Sequence, residues 1–144
     1  MTDLTLEAIR GRWELMAWEE RVGKTLIRPL GERPQGVIYY ADDGWMAVQI
    51  SGPDRPAIAS SDPLGGTEQE RAAAHATYLA YCGTYEIRDG HIVHSVQLST
   101  FPNWAGEVQI RSAELHGDRL VLRAAPVETP DGTFDAELRW TRPR

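Results

Sequence analysis

TFDAELRWTR, residues 133–142, alternates apolar and polar side chains with a period of two residues. Such alternation is typical of a β-strand with one face on a core and the other in water. The stretch therefore predicts a strand whose apolar face points into the molecule, and Arg142 shares that inner phase. The apolar face consists of Phe134, Ala136, Leu138 and Trp140.

The same period recurs upstream, and short turns rich in Asp and Gly separate the apolar runs. Consecutive hairpins make an up-and-down meander, and closing it into a barrel removes its two exposed edges. We therefore predict an all-β fold, an eight-stranded antiparallel up-and-down β-barrel, as a single domain over residues 1–144. The predicted strands are residues 11–20, 36–41, 45–51, 84–88, 91–100, 107–115, 119–124 and 133–141.

Two helical segments are expected beside the strands. Thr67, with Glu70 three residues later, makes a capping box before the alanine-rich segment Glu68–Cys82, which predicts one inserted helix stopped by Gly83. Residues 4–9 are expected to form a short helical plug at one end of the barrel. In a closed antiparallel barrel the start of the first strand lies beside the end of the last. Trp13 and Arg142 could therefore stack as a cation–π pair at this floor.

Composition excludes several classes of partner. The net charge of −6 leaves no basic surface for nucleic acid or for an anionic membrane. Cys82 is the single cysteine, residues 1–10 lack the apolar region of a secretory signal, and no run approaches the ~20 apolar residues of a membrane helix. These features favour a reducing, cytoplasmic location.

A series of motifs spread over most of the chain resembles the bacterial and fungal lipocalin-like domain family of the calycin superfamily. The resemblance runs from about Leu6 to Arg142 and implies a calycin barrel with a helix inserted after the third strand. Members of that family lie near small-molecule biosynthetic genes, and the family has no agreed catalytic motif. The motifs are Gly11-Arg12-Trp13-Glu14-Leu15, Pro29-Leu30-Gly31, Gly36–Tyr40, Asp43–Gln49, Tyr78–Tyr85, Phe101–Gly106, Gln109-x-Arg111 and Leu138–Arg142.

Inward-facing polar residues are the candidates for chemistry, because an unpaired buried polar group is costly. Glu19 shares the phase of Trp13 and Leu15, which makes it either a rim carboxylate or a general base. His94 lies between Ile92 and Val96 on an apolar face. It is either a hydrogen-bonded core residue or a proton shuttle.

The phase of Gln109 and Arg111 stays open. Val108 and Ile110 argue that the pair faces outward, whereas the next apolar residues along the strand argue that it faces inward, and a β-bulge would reconcile the two. If Arg111 faces inward it requires an anion, either Glu19 or a ligand.

Aromatic residues supply the other candidates for ligand contact. Tyr39, Tyr81 and Tyr85 are expected around the barrel mouth or just beneath it, and Val96 on the inner wall. The loop Phe101–Trp104 is either a lid over the cavity or a plug.

We predict no metal site and no cofactor. The four histidines and one cysteine lack metal-ligand spacing, and no glycine-rich phosphate loop is present. Haem held through His94 is the one cofactor that a calycin barrel leaves open.

Three functions remain. The first is the binding of a small, largely hydrophobic molecule in the barrel interior. The alternative is a cofactor-independent isomerase, cyclase, dehydratase or lyase acting on a biosynthetic intermediate, with His94, Glu19 and Arg111 as catalytic residues. The third is self-association: Met16, Trp18 and Trp45 are expected on the outer wall, where the helix and a second subunit of a homodimer would cover them.

Overall fold

A computed structural model of the protein describes residues 1–143 and confirms the barrel. Ten antiparallel strands follow one another, and each hydrogen-bonds to its neighbours in a single sheet. The strands are β1 (Gly11–Val22), β2 (Thr25–Ile27), β3 (Gln35–Tyr40), β4 (Trp45–Ser51), β5 (Tyr78–Arg88), β6 (His91–Ser99), β7 (Val108–His116), β8 (Arg119–Ala124), β9 (Val127–Thr129) and β10 (Gly132–Thr141).

The pairing of β1 with β10 closes the barrel. Around the ring the order is β1, β3, β4, β5, β6, β7, β8 and β10, and β1 meets β10 along Glu14–Val22. The short strands β2 and β9 extend β1 and β10 beyond this ring. With eight strands in the ring, β6 stands directly across the lumen from β1. An eight-stranded barrel is just wide enough inside for side chains or for one small ligand.

The closed end of the barrel is built as the sequence predicts. Thr5 caps a one-turn helix, α1 (Leu6–Ile9), and the carbonyl of the fully buried Ile9 accepts a hydrogen bond of 2.8 Å from Trp13 Nε1. Arg142 stacks on Trp13, with its guanidinium carbon 4.1 Å from the ring centroid. The same guanidinium donates to the carbonyls of Ala8 and Arg10, so it joins the last strand to the plug.

The inserted helix is shorter than the sequence predicts. The capping box of Thr67 and Glu70 is present, but α2 (Glu68–Ala76) ends at Ala76, with Thr77 as its C-cap, rather than at Cys82. Tyr78–Cys82 instead belongs to β5 and pairs with β4. The backbone hydrogen bonds to β4 outweigh the helical preference of the alanines, a tertiary effect that local propensity does not contain. The helix packs against β5 and leaves Met16 exposed, so its predicted cover over the outer wall of β1 is wrong.

A β-bulge in β1 reverses the alternation that the sequence predicts beyond Leu15. Leu15 pairs with Trp140 and Ala17 pairs with Arg139, so Met16 is the extra residue. From that point Trp18 faces the interior, whereas Glu19 faces outward. The predicted inward orientation of Glu19 and the predicted outward orientation of Trp18 are both wrong, because one inserted residue exchanges the two faces of a strand.

The phase of β3 also differs from the expectation for its tyrosines. Ile38 and Tyr40 point inward and are almost fully buried, while Tyr39 is half-exposed on the outer face opposite Arg12. The expected position of Tyr39 at the barrel mouth is therefore wrong. Among residues 1–143, no helix is both long and apolar enough to cross a membrane.

Candidate ligand-binding site

The barrel encloses a cavity of about 320 Å³. Its volume is at the small end of the roughly 300–1,000 Å³ typical of small-molecule sites. Most of its wall is apolar and comes from β1, β3, β4, β8 and β10. The apolar and aromatic lining residues are Trp18, Ile38, Val48, Ile50, Leu79, Trp104, Leu122, Ala124, Phe134, Ala136, Leu138 and Trp140.

Polar groups are concentrated on one side of the cavity. Tyr81 on β5, His94 on β6, and Gln109 and Arg111 on β7 line it from three adjacent strands. Gln109 pairs directly with His94 in the sheet, and Arg111 follows two residues along the same inner face. We call these four residues the polar patch. The cavity is thus amphipathic, with the polar patch facing Trp18 of β1 across the lumen.

His94 is buried at 1% exposure and is held by two tyrosines. Its Nε2 lies 2.8 Å from the Tyr40 hydroxyl, and its Nδ1 lies 2.8 Å from the Tyr81 hydroxyl. Burial, reinforced by the positive charge of Arg111, lowers the pKa of His94 to about 3. The imidazole is therefore neutral at physiological pH and has one donor and one acceptor nitrogen.

Arg111 and Gln109 face the cavity, which settles the phase that the sequence left open. The pairings of β7 with β6 and β8 are regular, so no bulge is needed, and Val108 and Ile110 are the outward residues. Arg111 donates to the Gln109 side-chain oxygen at 3.0 Å and to the Ile110 carbonyl at 3.1 Å. Within residues 1–143 no carboxylate lies within 4.0 Å of its guanidinium, and Glu19 is on the opposite side of the barrel wall.

Two further polar groups belong to cavity-lining residues. The indole N–H of Trp140 is buried and has no hydrogen-bond partner among the described residues. Glu20, one residue beyond the outward Glu19, lines the cavity from β1, and burial raises the pKa of its carboxyl group.

The remaining predicted ligand contacts divide into two groups. Tyr81, Trp104 and Gln109 line the cavity, and Trp104 packs edge-on against Tyr81 with the ring centroids 5.7 Å apart. Trp104 lies in a short 3₁₀ helix (Pro102–Trp104) beside the cavity, where the sequence placed a lid or plug. Tyr85 and Val96 are buried but do not line the cavity. Tyr85 instead donates to the Ala41 carbonyl and packs on Tyr40, with the centroids 4.8 Å apart.

Sequence reasoning missed Tyr40, Trp18 and Glu20. Period-two alternation from Ile38 places Tyr40 inward, so the signal for this residue was present in the strand. Trp18 and Glu20 depend on the bulge at Met16, and nothing in the local sequence marks that bulge. Only the pairing with β10 reveals it.

The chemistry open to this arrangement is hydrogen bonding and charge complementarity. Among residues 1–143 no three His, Cys, Asp or Glu side chains are grouped so as to hold a metal ion. Of the three predicted catalytic residues, the structure brings His94 and Arg111 to one wall and leaves Glu19 outside. Glu19 is instead paired with Arg28 at 3.0 Å and with Arg139 at 2.9 Å.

Comparison with known proteins agrees with this architecture. Residues 10–143 match the family described as lipocalin-like domain. The chain belongs to this family. A curated relative, the 4'-hydroxy-3'-methoxypropiophenone carrier protein ppsC of Aspergillus oryzae, is 34% identical over 85 residues, which cover 54% of this chain and 77% of the relative. Both findings support small-molecule binding as the general function of this lipocalin-like protein.

Proposed function

We propose that the protein binds and carries a small, largely apolar molecule in the barrel cavity, with one polar end of the ligand on the polar patch. The observation that carries the proposal is the cavity itself, about 320 Å³ of space with mainly apolar walls and four polar side chains grouped on β5, β6 and β7. Apolar walls supply affinity through desolvation, and a few convergent polar groups set orientation.

The relative's name supports the same chemistry. A hydroxy-methoxy phenyl ketone is a flat, small, mostly apolar molecule with oxygen atoms at its edges. Trp18, Trp104 and Phe134 offer aromatic faces for such a ring, and the polar patch offers donors for its oxygens. We therefore propose an aromatic or comparably flat ligand, from secondary metabolism.

Binding is favoured over catalysis by the state of His94. Both ring nitrogens are occupied by tyrosine hydroxyls, and a pKa of about 3 makes the imidazole a weak base at neutral pH. Glu19, the predicted partner for acid–base chemistry, lies on the outer wall.

The proposal is tested by placing a larger side chain on the inner face of the barrel and, as a control, on the outer face. Ala136 lines the cavity on β10, whereas Ala17 faces outward on the neighbouring β1. Ala136→Phe and Ala17→Phe therefore make a matched pair. Isothermal calorimetry with 4'-hydroxy-3'-methoxypropiophenone and a panel of flat aromatic ketones should show binding to the wild type and to Ala17→Phe, and at least about tenfold weaker binding to Ala136→Phe.

Thermal unfolding provides the second measurement. A ligand at 100 times its Kd stabilises the folded state by about 2.7 kcal/mol, which raises Tm. Equal affinity in wild type and Ala136→Phe would place the ligand outside the barrel and contradict the proposal.

We also propose a reducing, cytoplasmic location. Cys82 is the single cysteine of the sequence and is half-buried in β5 as a free thiol. Fractionation of cells expressing the tagged protein would test this, and recovery in an exported fraction would contradict it.

A further inference from the structure

The donors and acceptors around His94 determine the direction of a hydrogen-bond chain of three residues. A neutral imidazole donates from one nitrogen and accepts at the other, so one of its two tyrosines must donate to it and the other must accept from it. Tyr40 is fully buried, does not line the cavity, and has His94 Nε2 as the hydrogen-bond partner of its hydroxyl among residues 1–143.

Of the two possible His94 tautomers, only one gives the Tyr40 O–H an acceptor. If Nε2 carried the proton, the Tyr40 hydroxyl would accept from it, and the buried O–H of Tyr40 would have no acceptor. An unsatisfied buried donor costs about 1–3 kcal/mol. In the other tautomer Tyr40 donates to Nε2 and Nδ1–H donates to the Tyr81 oxygen. The chain then runs from Tyr40 through His94 to Tyr81.

The consequence is a free hydroxyl proton on Tyr81. Because the oxygen of Tyr81 accepts from His94, its O–H remains to donate, and Tyr81 lines the cavity. Each bond in such a chain polarises the next and strengthens the terminal donor. The polar patch therefore presents a directed donor to whatever occupies the cavity.

Arg111 adds a positive charge on the same wall. A guanidinium has five N–H donors, and the described contacts of Arg111 are two, to Gln109 and to Ile110. Burial raises the pKa of Tyr81 to about 12, and the positive charge of Arg111 opposes that rise. Arg111 therefore acts electrostatically on the Tyr81 hydroxyl. A half-buried cation without a carboxylate within 4.0 Å among residues 1–143 lacks a counter-charge, and a ligand anion would supply it.

We propose that the cavity selects weakly acidic ligands, such as phenols and enols, and holds them as the oxyanion between the Arg111 guanidinium and the Tyr81 hydroxyl. This inference rests on the proposed cavity binding and names the charge state of the bound molecule. The other titratable residues that line the cavity are His94, neutral as described, and Glu20 across the lumen on β1. Arg111 is therefore the charge on the wall that receives the oxyanion.

The experiment uses 4-nitrophenol and its methyl ether, 4-nitroanisole, which share size and shape while only the phenol ionises. Nitrophenolate absorbs at a longer wavelength than nitrophenol, so the ionisation of the bound probe is read directly from its spectrum across pH. We expect the pKa of bound nitrophenol to fall by about 1–3 units relative to the free probe, as for an acid beside an opposite charge.

Arg111→Gln should abolish that shift and weaken nitrophenolate binding about 10–100-fold, while nitroanisole affinity changes less than about twofold. Arg111→Lys should retain part of the shift, and Tyr81→Phe should reduce it. Arg12→Gln removes the same charge from the outer face of β1 and should behave as wild type.

Two other outcomes would contradict the proposal. Binding of both probes with an unshifted nitrophenol pKa, or with a shift that survives Arg111→Gln, overturns the oxyanion proposal and leaves cavity binding intact. Binding of neither probe, together with no binding of the aromatic ketones, overturns both.

Discussion

One imidazole, that of His94, belongs to the polar patch and is hydrogen-bonded to two tyrosine hydroxyls. Its pKa is lowered from 6.5 to about 3, first by burial and second by the charge of Arg111. The unfolded chain therefore takes up a proton on this side chain at a higher pH than the folded protein does. His94 contributes its full stabilisation above pH 6.5 and loses it progressively between 6.5 and 3, by up to about 1.4 kcal/mol per pH unit.

His94→Gln tests this linkage. At about pH 7 the variant should unfold more easily by about 1–3 kcal/mol, because buried tyrosine hydroxyls lose their partners. The difference in unfolding free energy between the variant and the wild type should shrink as the pH falls to about 5. Only the wild type has a His94 that becomes protonated on unfolding, so only the wild type loses stability by this route. Urea unfolding at both pH values measures it, with the exposed His75→Gln as control. A difference independent of pH would contradict the lowered pKa.

Arg142 is the second residue with a distinct energetic role, because it joins β10 to the plug. Arg142→Met removes the cation–π contact with Trp13 and the charged hydrogen bonds to the Ala8 and Arg10 carbonyls. We expect a loss of about 2–4 kcal/mol of unfolding free energy and a lower Tm, with partial recovery in Arg142→Lys. Calorimetry measures it, and an unchanged Tm would show that the plug does not depend on this residue.

At the scale of elements, two bulges decide which side chains reach the cavity. The first, at Met16 in β1, turns Trp18 and Glu20 inward. The second lies on β6, where Cys82 pairs with Leu98 and Gly83 pairs with Val96, so that Gln97 is the extra residue. Beyond it Leu98 points outward and is 69% exposed. The strands approach so closely there that a Cβ on Gly83 would lie 1.9 Å from the Ser95 carbonyl oxygen.

Gly83→Ala should therefore force β5 and β6 apart. We expect a loss of about 3 kcal/mol or more, because the clash is with backbone and no rotamer change relieves it. Gly52→Ala is the matched control: the nearest atom to its Cβ would be at 3.6 Å, so its effect should be small. Chemical denaturation compares the two, and equal stabilities would contradict the close approach at the bulge.

A network of ion pairs lies on the outer wall at the seam between β1 and β10. Glu19, Arg139, Glu137, Arg123 and Glu114 form a continuous chain of ion pairs at 2.7–3.0 Å. Arg139, chiefly through its hydrogen bond, holds the pKa of Glu19 below its ordinary value. Glu19 thus stabilises the seam above about pH 4.5, and this contribution is lost as the pH falls further.

Glu19→Gln should lower the unfolding free energy by about 1 kcal/mol at low ionic strength, the upper end for an ion pair at the protein surface. At roughly 1 M salt the difference should nearly vanish, since the Debye length is then about 3 Å. Glu14→Gln, which breaks a looser pair of 3.9 Å with Arg12, is the control. A salt-independent loss would indicate packing rather than charge.

At the scale of the whole molecule, the prediction concerns self-association. The homodimer stays a prediction. Trp18 lies inside the barrel, so two of the three side chains expected on the outer wall remain available to a second subunit. Met16 remains on the outer wall at 59% exposure, and Trp45 is about one-third exposed. If the dimer forms, sedimentation at high micromolar concentration should show a mass near twice 16.1 kDa. A monomer under those conditions would contradict it, and Met16→Lys should weaken a dimer that uses this face.

The barrel, its hairpins and its floor could be predicted from the sequence alone. Period-two alternation, Asp-Gly turns and the pairing of Trp13 with Arg142 act over a few residues or at fixed ends of strands, so they can be read without coordinates. The sequence also placed His94 on the inner wall, because the β6 alternation around it is regular.

The set of residues that line the site follows instead from the pairing of the strands. The bulge at Met16 depends on how β1 pairs with β10, more than 100 residues later in the chain, and shifting that register by one residue exchanged Glu19 for Glu20. The end of α2 at Ala76 and the inward phase of Arg111 likewise depend on hydrogen bonds to neighbouring strands. Local pattern records the preferences of each segment, but strand register is a property of pairs, and the cavity is assembled from those pairs.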